Sequence, residues 1–312
     1  MPYLEVDDIN LYYVTYDKNE LLTDLPNPNA PTLIVLHGGP GFDHKHMVPF
    51  WSTLSNNIQV IFVDQRGNGL STKSSKDKWN LAQWAKDVKQ FSDTLGLQGK
   101  VFLAGSSFGS YVAQAAITVY PEAFAGAILT DADAYIDFPY FLQLLAEKAR
   151  EKNFDADSAV AAATKWFQQG DASSIGDYVK YCLPLFDNKP QRSMADDLKD
   201  SIQTSEVMTH FNTTELLKFD FRTALKKVKC PVLLIAGDVS PYHSEASATK
   251  LANALPASCS EFHLFKGVGT PVYNHVPNEA RKLMTEFIEK ILAPAAINIS
   301  KVQENNNIRL CL

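Results

Sequence analysis

The chain has 312 residues, of which 46% are hydrophobic and 21% charged, and its formal net charge at pH 7 is -6. These proportions are typical of globular proteins and exclude a disordered or fibrous chain. The longest basic run is the short segment 226–229, so the chain lacks the electrostatic footprint that binding to nucleic acid or an anionic membrane requires.

The beginning of the sequence and its cysteines indicate the compartment. The first twenty residues contain neither a basic segment nor an apolar segment of the secretory type, and no apolar stretch reaches the roughly 18 residues of a membrane span. The four cysteines, Cys182, Cys230, Cys259 and Cys311, have no metal-ligand spacing and are typical of reduced thiols. We therefore expect a cytoplasmic protein with no metal. Because no phosphate-binding glycine loop is present, we also expect no organic cofactor.

Short apolar runs followed by turn residues predict buried parallel strands in the first 130 residues. These runs are Thr32–Leu36, Gln59–Val63, 101–104 and Gly126–Thr130. Segments with helical spacing at 81–95 and 108–120 lie between them, so the repeated unit is βαβ and the sheet is doubly wound. The segments 4–6 and 9–16 alternate in polarity and predict an antiparallel hairpin at the sheet edge.

The pattern changes between residues 134 and 220, where no strand-like run occurs and several helices are predicted. Strand signals return at 231–236 and 261–265, and a helix is predicted over Pro277–Leu292. The predicted fold class is α/β, with a mostly parallel twisted sheet flanked by helices and an inserted helical cap. We assign 1–133 and 220–297 to the core, 134–219 to the cap, and 298–312 to a polar tail that need not pack.

A Gly-x-Ser-x-Gly sequence, Gly105-Ser106-Ser107-Phe108-Gly109, falls between a predicted buried strand and a predicted helix. At such a junction the glycines allow the strand and helix to pass closely, and the central serine lies in a sharp, strained turn. We therefore predict that Ser107 is the catalytic residue of the site. The backbone N–H of Phe108 is expected to form part of an oxyanion hole at the start of the helix.

A second glycine-rich segment, His37-Gly38-Gly39-Pro40-Gly41, directly follows the strand Thr32–Leu36. Glycines at this position leave room for a substrate to approach backbone N–H groups, so we expect Gly38 and Gly39 to complete the oxyanion hole. His37 and His44 are assigned to the substrate-binding region, His37 mainly as a structural hydrogen-bonding residue. His46 also lies near the expected pocket, where it can donate a hydrogen bond to a ligand.

These two motifs, together with Asp64-Gln65-Arg66-Gly67-Asn68-Gly69-Leu70-Ser71, resemble the proline iminopeptidase-like branch of the α/β-hydrolases. The three motifs have the family's order, and with the cap and the return at 219–222 the resemblance covers nearly the whole chain. It implies an enzyme that binds a small-molecule substrate between core and cap. Asp64 and Arg66 are expected to brace the loop beside the elbow through charge-assisted hydrogen bonds.

The resemblance also implies an acid after the next-to-last core strand, but Ser240 occupies that position. Asp238 lies two residues earlier and is one candidate replacement. Asp131 is an equal candidate to Asp238, and Asp133 is a weaker one, because the resemblance includes relatives that carry their acid at the end of the strand Gly126–Thr130.

The base histidine that the resemblance implies after the last strand is replaced by Thr270, which cannot accept a proton at neutral pH. His275 lies five residues later, and His243 follows Pro241. A shifted loop would bring either imidazole near Ser107. Without an adjacent base a serine is a weak nucleophile, and loss of the histidine from a serine protease lowers turnover by about 10⁶.

Three functions follow from this pattern. The preferred hypothesis is an enzyme repurposed for elimination, isomerisation or cyclisation, because the oxyanion glycines are retained while both proton-handling positions are changed. The alternative is a serine hydrolase or aminopeptidase with a relocated acid and a relocated base, most plausibly His275, in which Glu206 and Glu215 of the cap hold a substrate amine. The third is a catalytically inactive protein that binds a small molecule. The sequence determines neither the substrate nor the oligomeric state.

Overall fold

A nine-stranded sheet forms the centre of the protein in a computed structural model that describes residues 3–170, 172–188 and 198–293. In chain order its strands are β1 (Tyr3–Val6), β2 (Ile9–Asp17), β3 (Glu20–Leu21), β4 (Thr32–Leu36), β5 (Gln59–Val63), β6 (Val101–Ser106), β7 (Gly126–Thr130), β8 (Val232–Gly237) and β9 (Ser260–Phe265). The predicted tail at 298–312, which includes Cys311, lies outside the described residues.

The described α-helices are α1 (Val48–Trp51), α2 (Leu81–Thr94), α3 (Phe108–Val119), α4 (Phe138–Glu151), α5 (Ala156–Gln169), α6 (Ala172–Tyr181), α7 (Ser205–Thr214), α8 (Arg222–Leu225), α9 (Glu245–Ala254), α10 (Val272–His275) and α11 (Pro277–Leu292). Short 3₁₀ turns occur at His44–His46, Ser52–Asn56, Lys76–Lys78 and Leu183–Leu185. Within the described ranges, no helix has both the length and the apolar character needed to cross a membrane.

The sheet has the order β1-β2-β5-β4-β6-β7-β8-β9, and β3 pairs with β2. β1 and β2 form an antiparallel hairpin, β2 runs antiparallel to β5, and the strands from β5 to β9 are parallel. The predicted α/β fold, its central strands and its edge hairpin are confirmed. Every residue of β4 to β8 is buried, because helices cover both faces of the parallel part of the sheet.

The helices α4 to α7 lie between β7 and β8 in the chain, within the segment predicted as a cap. Their local sequence explains their ends: Asp155 accepts hydrogen bonds from the first N–H groups of α5, and Gly170 ends that helix with a left-handed φ of 59°. The cap packs directly on the core through aromatic rings. Phe108 of α3 lies 5.1 Å from Phe211 of α7 and 4.9 Å from Trp84 of α2, measured between ring centroids.

A buried ion pair and several charge-assisted hydrogen bonds hold the loop between β5 and α2. The Arg66 guanidinium donates to both carboxylate oxygens of Asp87, at 2.7 and 2.8 Å, and to Asp8 at 2.8 Å. The Asp64 carboxylate accepts from the backbone N–H groups of His44 and Leu70, at 2.8 and 2.9 Å. Both side chains therefore brace the loop as expected, and Asp64 ties it to the chain that follows Gly38 and Gly39.

The crossing of β6 and α3 depends on two glycines. A Cβ on Gly109 would overlap the carbonyl group of Leu36, and a Cβ on Gly105 would overlap the backbone of Gly109. Only residues without side chains allow the strand, the helix and the end of β4 to approach this closely.

We expect Gly109→Ala to lower the free energy of unfolding by at least about 2 kcal/mol, because the added methyl group forces backbone to move. A matched control is Gly176→Ala in α6, where a Cβ meets nothing within 4 Å. This control is expected to be neutral or to gain up to about 1 kcal/mol from helix propensity. Urea denaturation followed by circular dichroism measures both values, and a Gly109→Ala variant as stable as wild type would contradict the close crossing.

Candidate functional site

Ser107 occupies the turn between β6 and α3 with φ 51° and ψ -119°, a conformation that strains a residue with a side chain. Backbone hydrogen bonds hold it there: its N–H donates to the carbonyl oxygens of Thr130 and Asp131, at 3.2 and 3.1 Å. Its own carbonyl accepts from the Ser110 N–H at 2.8 Å. The half-buried Ser107 side chain lies on the wall of a cavity between core and cap.

This cavity has a volume of about 200 Å³. Its cap side is formed by apolar and aromatic residues, among them Trp166, Tyr178, Phe186 and Met208. Among the described residues that line it, none is an aspartate, glutamate, lysine or arginine. The described wall therefore favours an uncharged, largely apolar ligand.

The predicted oxyanion residues lie together beside Ser107. Gly38 and Gly39 line the same cavity, and a Cβ on Gly38 would stand 3.9 Å from the Ser107 Cβ. Gly39 has a φ of 118°, which favours glycine. Phe108 is the first residue of α3, so its N–H has no carbonyl partner within the helix. The backbone N–H of Phe108 is thus a donor at the serine turn, and the loop of Gly38 and Gly39 lies on the same cavity wall.

His37 and His44, which the sequence assigned to substrate binding, do not line the cavity. The His37 ring lies 2.8 Å through Nδ1 from the Gly38 carbonyl oxygen and accepts at Nε2 from the Gln65 N–H at 3.1 Å. The His44 Nδ1 lies 2.7 Å from the Asp64 carboxylate. Both imidazoles are occupied in holding the loop, which agrees with the mainly structural role expected for His37 and corrects the assignment of His44 to the ligand.

His46 is the histidine of this loop that faces the cavity. Its Nε2 lies 3.6 Å from the position of a Cβ on Gly38, which places the ring next to the oxyanion loop. Burial lowers the pKa of His46 to about 3, so the ring is neutral at physiological pH. It can exchange one hydrogen bond with a ligand but carries no charge.

Asp238 and His275 also lie away from the cavity. The Asp238 carboxylate accepts from the Gly267 N–H at 2.7 Å and so closes the turn after β9. His275 ends α10, where burial lowers its pKa and the Asp187 carboxylate opposes that shift. Neither residue lines the cavity that contains Ser107, although the sequence hypotheses required it.

A different imidazole and carboxylate are brought to the cavity. The His243 Nδ1 lies 2.6 Å from the Asp133 carboxylate, and both side chains are almost fully buried. Asp133 also accepts a hydrogen bond from the Tyr111 hydroxyl at 3.2 Å. His243 and Ser107 both line the cavity. Because Nδ1–H donates to Asp133, Nε2 carries the lone pair that a general base needs.

The Ser107 hydroxyl makes no hydrogen bond to His243 or to another side chain within the described residues. Such contacts are often long in an unliganded site and shorten when a substrate binds. The sequence could indicate His243 and Asp133 only as weaker alternatives, because they are 110 residues apart and follow different strands. Their adjacency depends on β7 and β8 being neighbours in the sheet.

Ser240 and Thr270, which stand at the acid and base positions of the resemblance, have structural contacts. The Ser240 hydroxyl accepts from the His243 N–H at 3.2 Å and so helps to fix the loop that carries this imidazole. Thr270 lines the cavity, and its backbone N–H donates to the Phe186 carbonyl of the cap at 3.1 Å. Thr270 thereby connects the loop after β9 to the cap.

Asp131 lies directly beside the elbow but faces the loop that contains Thr270. Its carboxylate accepts from the Val272 N–H and from the Ser106 hydroxyl, each at 3.2 Å. No hydrogen bond joins it to an imidazole within the described residues. Burial raises the pKa of Asp131 from 3.8 to about 6.

The two cap carboxylates proposed to hold a substrate amine are not at the cavity. Glu206 is exposed in the first turn of α7. Glu215 follows the same helix and accepts from the Leu81 N–H at 3.4 Å, at the start of α2. Their assignment to substrate binding is corrected, because neither residue lines the cavity.

Comparison with known proteins agrees with this architecture. The family model described as alpha/beta hydrolase fold matches residues 31–270. The chain belongs to the α/β-hydrolase fold family. This α/β-hydrolase is 26% identical over 287 residues to a proline iminopeptidase of Clostridium botulinum, covering 85% of this chain and 89% of the relative. It is 23% identical over 269 residues to the monoacylglycerol lipase abhd6-B of Xenopus laevis, covering 84% and 77%.

A solved structure shows the same fold over most of the chain. The crystal structure of a proline iminopeptidase from Mycobacterium smegmatis aligns with a TM-score of 0.69 and 19% identity, covering 93% of this chain and 97% of that chain. The family and its relatives identify the protein as an α/β-hydrolase-fold enzyme that resembles the proline iminopeptidase-like branch.

Asp131→Asn provides a test of the buried carboxyl, because asparagine keeps an acceptor oxygen for Val272 but does not titrate. The folded protein binds the Asp131 proton more tightly than the unfolded chain, so the stability of the wild type falls as pH rises from about 4 to about 6. Relative to the wild type, the variant is expected to gain about 3 kcal/mol of unfolding free energy between pH 4 and pH 7. Urea denaturation at several pH values measures this difference, and a constant difference would contradict the raised pKa.

Proposed function

We propose that the protein is a serine hydrolase that cleaves an ester-type acyl bond of an uncharged, largely apolar small molecule. Ser107 is the nucleophile, His243 the general base and Asp133 the carboxylate that orients it. The observation that carries this proposal is the buried His243 and Asp133 pair, 2.6 Å apart, on the wall of the cavity that contains Ser107. The acid and base are thus relocated within the site.

In the proposed reaction the Ser107 oxygen attacks the acyl carbon while His243 Nε2 accepts the hydroxyl proton. Asp133 stabilises the imidazolium that forms, because it accepts the hydrogen bond from Nδ1. The N–H groups of Gly39 and Phe108 stabilise the negative oxygen of the tetrahedral intermediate. His243 then donates the proton to the leaving alcohol, and a water molecule activated by the same imidazole hydrolyses the acyl enzyme.

The lining of the cavity supports an ester substrate in preference to a peptide with a free amino terminus. No carboxylate among the described lining residues can pair with the free amine that an aminopeptidase substrate carries. The apolar cap side offers instead a surface for a hydrocarbon or aromatic acyl group. One relative that matches across most of the chain is named a monoacylglycerol lipase, which agrees with an ester substrate.

We expect Ser107→Ala and His243→Gln each to lower kcat for a 4-nitrophenyl ester by about 10⁴-fold or more, since either change removes a member of a cooperative unit. His275→Gln is the matched control, because His275 does not line the cavity; it is expected to keep activity within about twofold of the wild type. The measurement is steady-state hydrolysis of 4-nitrophenyl acetate, butyrate and octanoate, with circular dichroism to verify folding.

Full activity of His243→Gln would reject the proposed base, and loss of activity in His275→Gln would restore His275 as the candidate. Asp133→Asn gives a further check of the pair. It is expected to reduce kcat strongly while leaving the KM of the same esters within about threefold, because Asp133 orients the base and does not line the cavity.

Non-hydrolytic chemistry is a second candidate, favoured by the missing hydrogen bond between Ser107 and His243. In that case the oxyanion donors would stabilise developing charge during an elimination, isomerisation or cyclisation, and Ser107 would orient the substrate. A serine-directed fluorophosphonate separates the two candidates. Rapid labelling of the wild type that is lost in both Ser107→Ala and His243→Gln supports hydrolysis. A folded protein that neither labels nor cleaves any ester supports the second candidate or a binding protein.

A further inference from the structure

Two side chains of α3 reach from the helix that begins at the serine turn to the loop after β7. Tyr111 lies one helical turn after Ser107, and its backbone N–H donates to the Ser107 carbonyl at 3.3 Å. Its hydroxyl donates to the Asp133 carboxylate at 3.2 Å. The Gln114 side-chain amide donates to the Asp133 backbone carbonyl at 3.1 Å. The same helix therefore positions Ser107 and holds the carboxylate that pairs with His243.

The Tyr111 hydroxyl and the His243 ring bind the same oxygen of Asp133. This oxygen, Oδ2, lies 2.6 Å from His243 Nδ1 and accepts from Tyr111, whereas Oδ1 is buried and has no hydrogen-bond partner. Because both donors meet at one oxygen, the hydroxyl and the imidazole share the same negative charge. Burial raises the pKa of Tyr111 well above its usual value, so the hydroxyl keeps its proton and remains a donor.

Packing holds the Tyr111 ring in place. The ring is buried, and its centroid lies 4.7 Å from that of Phe219, where the chain returns from the cap to the core. The Tyr242 hydroxyl interacts with the Tyr111 hydroxyl, and the Tyr242 ring lies 4.5 Å from the His243 ring between centroids. A phenylalanine at position 111 keeps the ring contacts. Tyr111→Phe therefore removes the hydroxyl and leaves the packing intact.

The titratable groups around the Asp133 and His243 pair come from three elements. Asp131 follows β7, as Asp133 does, and interacts with His243 through its charge. Tyr111 belongs to α3, and Tyr242 precedes His243 in the loop after β8. The cap adds no aspartate, glutamate, lysine or arginine to the described lining of the cavity on which His243 lies.

We propose that Tyr111 is a positioning residue of the reaction, whose hydroxyl orients the Asp133 carboxylate towards His243. This inference rests on the proposed function, because it takes His243 as the general base. Tyr111 also lines the cavity, so a direct contact between its hydroxyl and the substrate is the competing role. The two roles differ in whether the effect of Tyr111 passes through Asp133.

The first test is a double-mutant cycle on the hydrolysis of 4-nitrophenyl butyrate. Tyr111→Phe is expected to lower kcat about tenfold and to leave KM within about twofold of the wild type. In Asp133→Asn protein the same change is expected to alter kcat by less than about twofold, because the carboxylate through which Tyr111 acts is absent. Tyr13→Phe is the matched control, since Tyr13 is buried in β2 and does not line the cavity; it is expected to keep kcat within about twofold. Circular dichroism verifies folding.

The second test does not depend on hydrolysis. Protein with ¹⁵N-labelled histidine is titrated by NMR, and the His243 signal is identified by its absence from His243→Gln. Without the Tyr111 hydroxyl, Asp133 keeps more of its negative charge for the imidazolium. The His243 ring of Tyr111→Phe is therefore expected to bind its proton about threefold more tightly than in wild type, an upward shift of about half a pH unit. The comparison is repeated in Asp131→Asn protein, so that the neighbouring carboxyl does not contribute.

The outcomes separate a failure of this inference from a failure of the proposed function. Equal losses of kcat on Tyr111→Phe in the wild-type and Asp133→Asn backgrounds would overturn the positioning role, and so would an unchanged titration of His243. If hydrolysis requires His243 while Tyr111→Phe changes neither kcat nor the titration, this inference alone fails. If the titration moves as expected and the wild type hydrolyses no ester, the link from Tyr111 to His243 stands and the hydrolase proposal fails.

Discussion

The close crossing of β6 and α3 at Gly105 and Gly109 is the constraint on which the site depends. It holds Ser107 at φ 51° on the cavity wall and leaves the first N–H of α3 without a helical partner. The same crossing brings the end of β4, and with it Gly38 and Gly39, beside the serine. In the proposed reaction, the nucleophile and the oxyanion donors therefore all depend on this one backbone arrangement.

The proposed proton-transfer pair comes from the loops that follow two neighbouring parallel strands. Asp133 follows β7 and His243 follows β8, and the carboxyl ends of these strands lie side by side in the sheet. A loop residue on one strand can thus reach its partner on the next, although 110 residues separate them. The positions that the family resemblance assigns to acid and base, Ser240 and Thr270, have become supports: one fixes the His243 loop and the other links core and cap.

Much of the fold followed from local patterns in the sequence. Runs of buried β-branched residues and the helical spacing between them predicted the parallel strands, and the Gly-x-Ser-x-Gly junction predicted the elbow. The position of His243 on the cavity wall could not be predicted in this way, because it depends on the conformation of the loop after β8. His275 and Asp238 are near the expected positions in sequence. In the fold, however, His275 has the Asp187 carboxylate as its charged neighbour, and Asp238 accepts a hydrogen bond from the Gly267 N–H. His44 was misassigned for a similar reason, since nothing in its sequence shows that the Asp64 carboxylate already pairs with its ring.

The backbone hydrogen bond from Thr270 to Phe186 joins the cap to a core loop that lines the cavity. Gly269, next to Thr270, also packs against the backbone of Asp187 on the cap. Any outward swing of this part of the cap must either break that bond or pull the loop with it. Admission of a substrate and the shape of the reacting centre are for this reason mechanically linked, so a molecule that enters by displacing the cap also disturbs the surface on which it is to react.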